Sequence, residues 1–380
     1  LSTAEDSPPK EPSVAPPAAP PAPLDAPGSL PPPPEAAVAP EPPKPSRVLG
    51  TIVKFVVAAA IIGFLVYTKK IDPAKVGRAM TPVWIAESLA LVFACIVIIS
   101  VRWWLLLRLE KIDLSIVDTV KLTLVGHFWN NFLPGAVTGD GVKMYYIGRK
   151  YPALSAEAYA TVVIDRLIGL AALVYLSFFF ALGNLDFVSA HAELRLTFGG
   201  NCLAAAGFTV AIGALVLGVG RKSSFADKLR TSKLPGIHSF RRGYRSLIRL
   251  GENPSILLAS FALGVCSHAL LVVIAVTAGQ ALGENTLSPS TYFFLVPVGL
   301  FVNSIPIGLP GGLGVGEGAF GLLFQWAGDV SSTGASHGGD IMALLRLSQL
   351  AWGTVGAAIY VFDRKTLAPG PTPETPSANP

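Results

Sequence analysis

Six ionisable residues lie inside otherwise apolar sequence: Asp140, Lys143, Asp165, Arg166, Glu317 and Arg346, with His127 and His268 as weaker members. A charge facing lipid costs roughly 3 kcal/mol or more, so such residues mark a substrate or ion path, or else structural ion pairs between helices. Arg166 and Arg346 suit phosphate, because a guanidinium presents a planar fork of donors. Asp140 and Glu317 suit a cationic group or an exchangeable proton. Asp165 and Arg166 are adjacent, so on a helix they point about 100° apart and each is expected to pair elsewhere. His268 reads as a core histidine. No His, Asp or Glu set has metal-ligand spacing, and no metal or other cofactor is expected. The pattern G-x-G-x-x-G at Gly316, Gly318 and Gly321 follows no strand, which argues against nucleotide binding. There is no Ser/His/Asp set and no spaced aspartate pair in the loops, so no catalytic residue is assigned and enzymatic activity by this chain alone is not expected.

Both glycine-flanked acids sit in stretches of one design. Residues 303–321 read NSIPIGLPGGLGVGEGAFG, in which Asn303, Pro306, Gly311, Gly312 and Gly314 lead to Glu317. Residues 130–143 read NNFLPGAVTGDGVK, in which Asn131, Pro134 and Gly139 lead to Asp140 and then Lys143. Proline removes a backbone donor and glycine opens conformations closed to other residues. Backbone this irregular is tolerated at membrane depth only inside protein or beside a wet cavity. Two readings stand: unrelated loops that share a taste for Asn, Pro and Gly, or a broken-helix pair at corresponding positions of two halves, the mark of a transporter site. Half-helix N-termini after Gly141 and Gly318 would add amide donors for an anionic head group.

The elements that hold these stretches are membrane helices. The chain is 51% hydrophobic and 14% charged, with a mean hydropathy of +0.55, which places it among all-α polytopic integral membrane proteins. Residues 1–47 hold about half of the 32 prolines and no apolar period, which reads as a disordered Pro-rich arm. Apolar runs at about 49–68, 83–107, 161–183, 199–219, 256–281, 291–309 and 341–362 predict about six to eight transmembrane helices in a domain over 48–365. Arg102, Trp103, Trp104 and Arg108 read as an interface anchor. A second disordered tail covers 366–380. The linker 221–254 carries nine Lys and Arg against two acids, which predicts that it and both tails are cytoplasmic. Counting spans from that linker makes 114–160 and 291–327 two opposed re-entrant or broken-helix hairpins, with a possible inverted repeat. Lys69, Lys70, Lys75 and Arg78 then fall outside, against the positive-inside trend. Cys95, Cys202 and Cys266 read as small core hydrophobes. The basic excess needs no nucleic-acid partner.

The strings FWNNFLPGAVTGDGVKMYYIGRK, TVVIDRLIGLAALV, NSIPIGLPGGLGVGEGAF and ALLRLSQLAWGTVGAAIYV, in that order, resemble the flippase-like membrane domain of bacterial lysylphosphatidylglycerol synthases. The resemblance covers about residues 48–365. It implies a polytopic helical fold, a bacterial cytoplasmic (inner) membrane location, and movement of an anionic or aminoacylated lipid between leaflets. The positions matching the family's motifs are Asn131, Pro134, Gly139, Asp140, Asp165, Arg166, Pro306, Gly311, Gly312, Gly314, Glu317 and Arg346. The synthases continue into a large soluble transferase domain, whereas 15 residues follow Lys365 here, so lysine transfer is not expected. The expected ligand is a membrane phospholipid or a polyprenyl-phosphate-linked lipid. The alternative is an accessory membrane scaffold for a glycosyltransferase or lipid-synthesis partner, docked through the Pro-rich arm.

Overall fold

The computed structural model describes residues 71–132, 138–219, 237–305, 313–329 and 336–363, together with Gly63 and Tyr67. Both Pro-rich tails, nearly all of the 49–68 run, residues 220–236, and Pro134, Pro306, Gly311 and Gly312 lie outside the described residues. What is described is helical, without strands among the described residues.

In chain order the α-helices are α1 (Pro73–Ala79), α2 (Pro82–Leu109), α3 (Ile116–Phe132), α4 (Thr138–Lys150), α5 (Ser155–Leu182), α6 (Leu185–Ala190), α7 (Ala192–Val216), α8 (Ile237–Glu252), α9 (Pro254–Leu282), α10 (Pro289–Asn303), α11 (Val315–Trp326) and α12 (Gly338–Phe362). Among them α2, α5, α7, α9 and α12 are long and apolar enough to cross a membrane. At 1.5 Å per residue each covers about 38 Å or more, beyond a hydrocarbon core of ~30 Å. The chain is thus a multi-pass membrane protein, and these helices coincide with five of the apolar runs read from sequence.

The helices start where the sequence supplies caps. Thr81 Oγ1 accepts from Trp84 N at 3.2 Å ahead of Pro82. Ser288 Oγ accepts from Thr291 N at 3.3 Å ahead of Pro289. A proline at the first helical position loses nothing, since its amide would have no partner there. Helix α9 stops at Gly283, whose φ of +84° suits a residue without a Cβ.

α2 packs on α9, α12 on α3, and α10 on α5. Phe294, Phe320, Phe324, Leu344 and Leu345 fill the core where α10, α11 and α12 meet. Pro297 interrupts the α10 ladder, and Ser177 Oγ of α5 donates to Phe294 O at 3.0 Å beside the missing donor. Cys95 is buried with the core, but Cys266 is exposed on α9 and Cys202 is half-buried on α7, so only one of the three cysteines is a core residue.

The short helices form two pairs, α3 with α4 and α10 with α11. Contacts at the helix ends place them. One end of the bundle gathers Arg242 with Glu157, Arg249 with Glu110 (2.7 Å) and Lys150 with Asp118 (3.4 Å). The open ends of α3 and α4 belong there, beside α8. The other end gathers Asp72 N on Asp340 Oδ1 (2.7 Å), His337 on Asp329 (2.7 Å) and Ser290 Oγ on Asn184 Oδ1 (3.0 Å). The open ends of α10 and α11 belong there, beside α1. The starts of α3 and of α10 therefore lie at opposite ends of the bundle. Lys75 and Arg78 line a polar pocket of about 400 Å³ at the α1 end with Glu284, Asp329 and His337. The basic residues that break the charge trend thus stand among acids. Lys69 and Lys70 lie outside the described residues.

Two sequence expectations are corrected here. Arg102 and Trp103 are not interface anchors: Trp103 is fully buried, with its indole N–H on Thr161 Oγ1 at 3.1 Å, and Arg102 is 5% exposed. Trp104 and Arg108 hold the outer position, with the Arg108 guanidinium over the Trp104 ring. The run read as one span over 291–309 forms a shorter helix that ends at Asn303.

Candidate functional site

Asn130 and Asn131 at the end of α3, Asp140 at the start of α4, and Asn303 and Ser304 at the end of α10 border a cavity of about 330 Å³ between α2, α5, α9 and α12. Its wall includes Arg102, Lys143, Arg166 and Arg346, and Asp140 and Asp165. Three ion pairs organise these groups, and each joins separate elements.

Arg102 on α2 grips Asp165 on α5 in two-point fashion, Nε to Oδ1 at 2.6 Å and Nη2 to Oδ2 at 3.1 Å. Arg166, the next residue on α5, turns to the α4 side and donates from Nη1 to Asp140 Oδ2 at 2.7 Å. Its Nη2 donates to Ser304 O at 3.1 Å, just past the end of α10. Arg346 on α12 holds Glu317 at 2.7 and 3.3 Å. Glu317 is 2% exposed, and its Oε2 also accepts from Gly314 N at 2.8 Å. This is the backbone-capping half of a capping box, and Gly314 permits it by adopting φ +83°. Burying such pairs gains little net energy, but removing one partner costs about 3–5 kcal/mol because it strands the other.

The inner helix starts are built around the acids. α4 begins at Thr138 and α11 at Val315, three residues before the glycines expected to precede them, so Asp140 and Glu317 stand in the first turn. A carboxylate there is favoured by the unpaired amides and the helix dipole. α3 and α4 meet at a point where no side chain fits. A Cβ on Gly139 would lie 1.9 Å from Gly126 O. Gly139 N donates to Asn130 Oδ1 at 2.7 Å, whereas the Asn131 amide bonds back to His127 O of its own helix at 2.8 Å. Asn131 and Asn303 both border the cavity; Pro134, Pro306, Gly311 and Gly312 fall outside the described residues.

Sequence reasoning passed over Arg102 and Asn130. The pattern Ser88, Cys95, Arg102 on α2 repeats every seven residues and is buried throughout, a polar stripe that could have pointed inward. Both histidines border the cavity and bond backbone carbonyls, His127 to Gln349 O at 3.2 Å and His268 to Gly169 O at 3.1 Å. Lys143 differs from the arginines. It is 8% exposed, its ammonium lies 5.0 Å from the centre of the Trp103 ring, and no carboxylate pairs with it among the described residues. Among the described residues no group of His, Cys, Asp and Glu could hold a metal ion. Among the described residues, the arrangement presents cations, carboxylates and amide oxygens to the cavity.

The family model for the lysylphosphatidylglycerol synthase TM region matches residues 51–360. The chain is similar to the UPF0104 membrane protein of Methanothermobacter thermautotrophicus, 23% identical over 277 residues that cover 68% of this chain and 80% of that protein. It is also similar to the UPF0104 membrane protein PH1989 of Pyrococcus horikoshii, 32% identical over 112 residues that cover 28% of this chain and 32% of that protein. The second match thus spans about a third of its relative's length. No solved structure matches the chain. The match runs from before α1 to within two residues of the end of α12, and the chain belongs to the lysylphosphatidylglycerol synthase transmembrane-region family.

Proposed function

We propose that this protein binds the charged head group of a membrane lipid in the cavity between two opposed re-entrant hairpins and carries it between leaflets. The observation that carries the reading is the placement of acids. Helix pairs entering from opposite ends bring Asp140 and the Glu317–Arg346 pair to one cavity. Intramembrane charge of this density is costly unless a polar guest or path uses it. Pro- and Gly-rich sequence inside each helix pair is tolerable at membrane depth where a wet cavity is near. The family's description supports a lipid context. The basic residues of α8 and of the sequence before it support a cytoplasmic α8 end, by the positive-inside trend.

The test is leaflet exchange in liposomes that contain the purified chain, using a phospholipid with a quenchable fluorescent head group. Wild type accelerates exchange over protein-free liposomes, and Asp140→Asn reduces the rate by about tenfold, equivalent to ~1.4 kcal/mol. Exchange no faster than in protein-free liposomes contradicts the proposal.

A further inference from the structure

The cavity's charges do not cancel. Arg102, Arg166 and Arg346 each have a carboxylate in Asp165, Asp140 and Glu317. Lys143 is the fourth cation in the wall and has no carboxylate partner among the described residues. Residues 133–137 and 306–312 contain no titratable residue, so they add no charge to this balance. An ammonium this buried is expensive without a counter-charge, and the contact with Trp103 offsets the cost by only about 0.5–2 kcal/mol. Lys143 is also the cation that a guest can engage without stealing it from an acid. Taking Arg166 or Arg346 would strand Asp140 or Glu317.

We infer that the cavity selects a head group with a single net negative charge, a phosphodiester whose anion is neutralised by Lys143. This rests on the lipid-binding reading above and narrows it. A phosphomonoester carries about −1.5 to −2 at neutral pH, which would leave charge uncompensated in the cavity. A zwitterionic head group would leave Lys143 without its counter-charge. A cationic aminoacyl head group would add to the excess.

The test is competitive binding to the purified full chain in detergent, read by native mass spectrometry. The probes are short-chain phosphatidylglycerol (one negative charge), phosphatidylcholine (net zero) and farnesyl phosphate (a phosphomonoester). Wild type prefers phosphatidylglycerol over both by about tenfold. Lys143→Gln, which leaves no acid unpaired, brings the three to within about twofold, and Lys143→Arg restores the preference. Equal binding of all three to wild type, or a preference for farnesyl phosphate or phosphatidylcholine, overturns the inference while leaving lipid binding in place. So does a phosphatidylglycerol preference that Lys143→Gln does not change. Binding of none of the three overturns this inference together with the lipid-binding reading.

Discussion

Arg166 donates from Nη1 to Asp140 at 2.7 Å while the other arm of the same guanidinium holds the carbonyl of Ser304 at 3.1 Å. One side chain on α5 therefore ties the inner end of the α3–α4 pair to the inner end of the α10–α11 pair. Both members of the ion pair are partly accessible, with side-chain exposures of 27% and 17%. The tie is thus weaker than a fully buried pair and can be exchanged for contacts to a guest. In a double-mutant cycle of Arg166→Met and Asp140→Leu, thermal unfolding in detergent should show a coupling of about 1–2 kcal/mol. Additive effects would mean that the two residues do not act together.

The Arg346–Glu317 pair is deeper and should behave differently. Glu317→Gln leaves the guanidinium without its counter-charge, and the expected loss is about 3–5 kcal/mol. Replacing both residues together, Glu317→Leu with Arg346→Met, should recover much of it, because no buried charge is then stranded. The measurement is the melting temperature of the three variants. A double variant less stable than Glu317→Gln would contradict this account.

Close packing of α3 on α4 makes a sharp prediction about two glycines on one helix. Gly139→Ala must push α4 off the Gly126 carbonyl and should cost about 1–3 kcal/mol or more. Gly141→Ala, two residues on, meets nothing within 4 Å and should be neutral or stabilising by up to about 1 kcal/mol. Yield and melting temperature of the two variants decide the point; equal losses would contradict the contact.

The pair of His337 with Asp329, at the end opposite α8, gives a pH signature. The hydrogen bond to Asp329 raises the imidazole above its ordinary value, against burial and the nearby Lys75. A raised folded-state value means that the stabilisation is fully present below the unfolded value of about 6.5 and is lost as pH rises through the folded one. The melting-temperature gap between wild type and His337→Gln should therefore be largest near pH 6 and shrink toward pH 9. A gap that widens with pH would show that the charged imidazole is not what stabilises the pair.

The long helices were legible in the sequence because about 25 apolar residues in a row have few other uses. The acid-bearing Pro and Gly stretches were legible because they break that pattern inside it. Arg102 was not, since a Trp-Trp neighbour and Arg108 six residues on imitate the aromatic and basic end of a span. Its partner Asp165 lies 63 residues away, and only packing of α2 on α5 joins them. The choice between Asn130 and Asn131 was equally closed, because adjacent residues face about 100° apart and sequence does not say which faces α4. The starts of α4 and α11 were misplaced by three residues because the glycines drew attention from the acids that stabilise the first turns. The isolation of Lys143 could not be read at all. It is a statement about which carboxylates are already taken.

The most direct test of the account is where a lipid head group sits. A phosphatidylglycerol analogue with a photoreactive group on its head, activated on the purified chain and mapped by peptide mass spectrometry, reports that position. The account predicts adducts on cavity-wall residues such as Leu173, Leu300 and Met342, reduced in Lys143→Gln. Adducts confined to the outward surface of α7, at Leu203 and Val210, would contradict it.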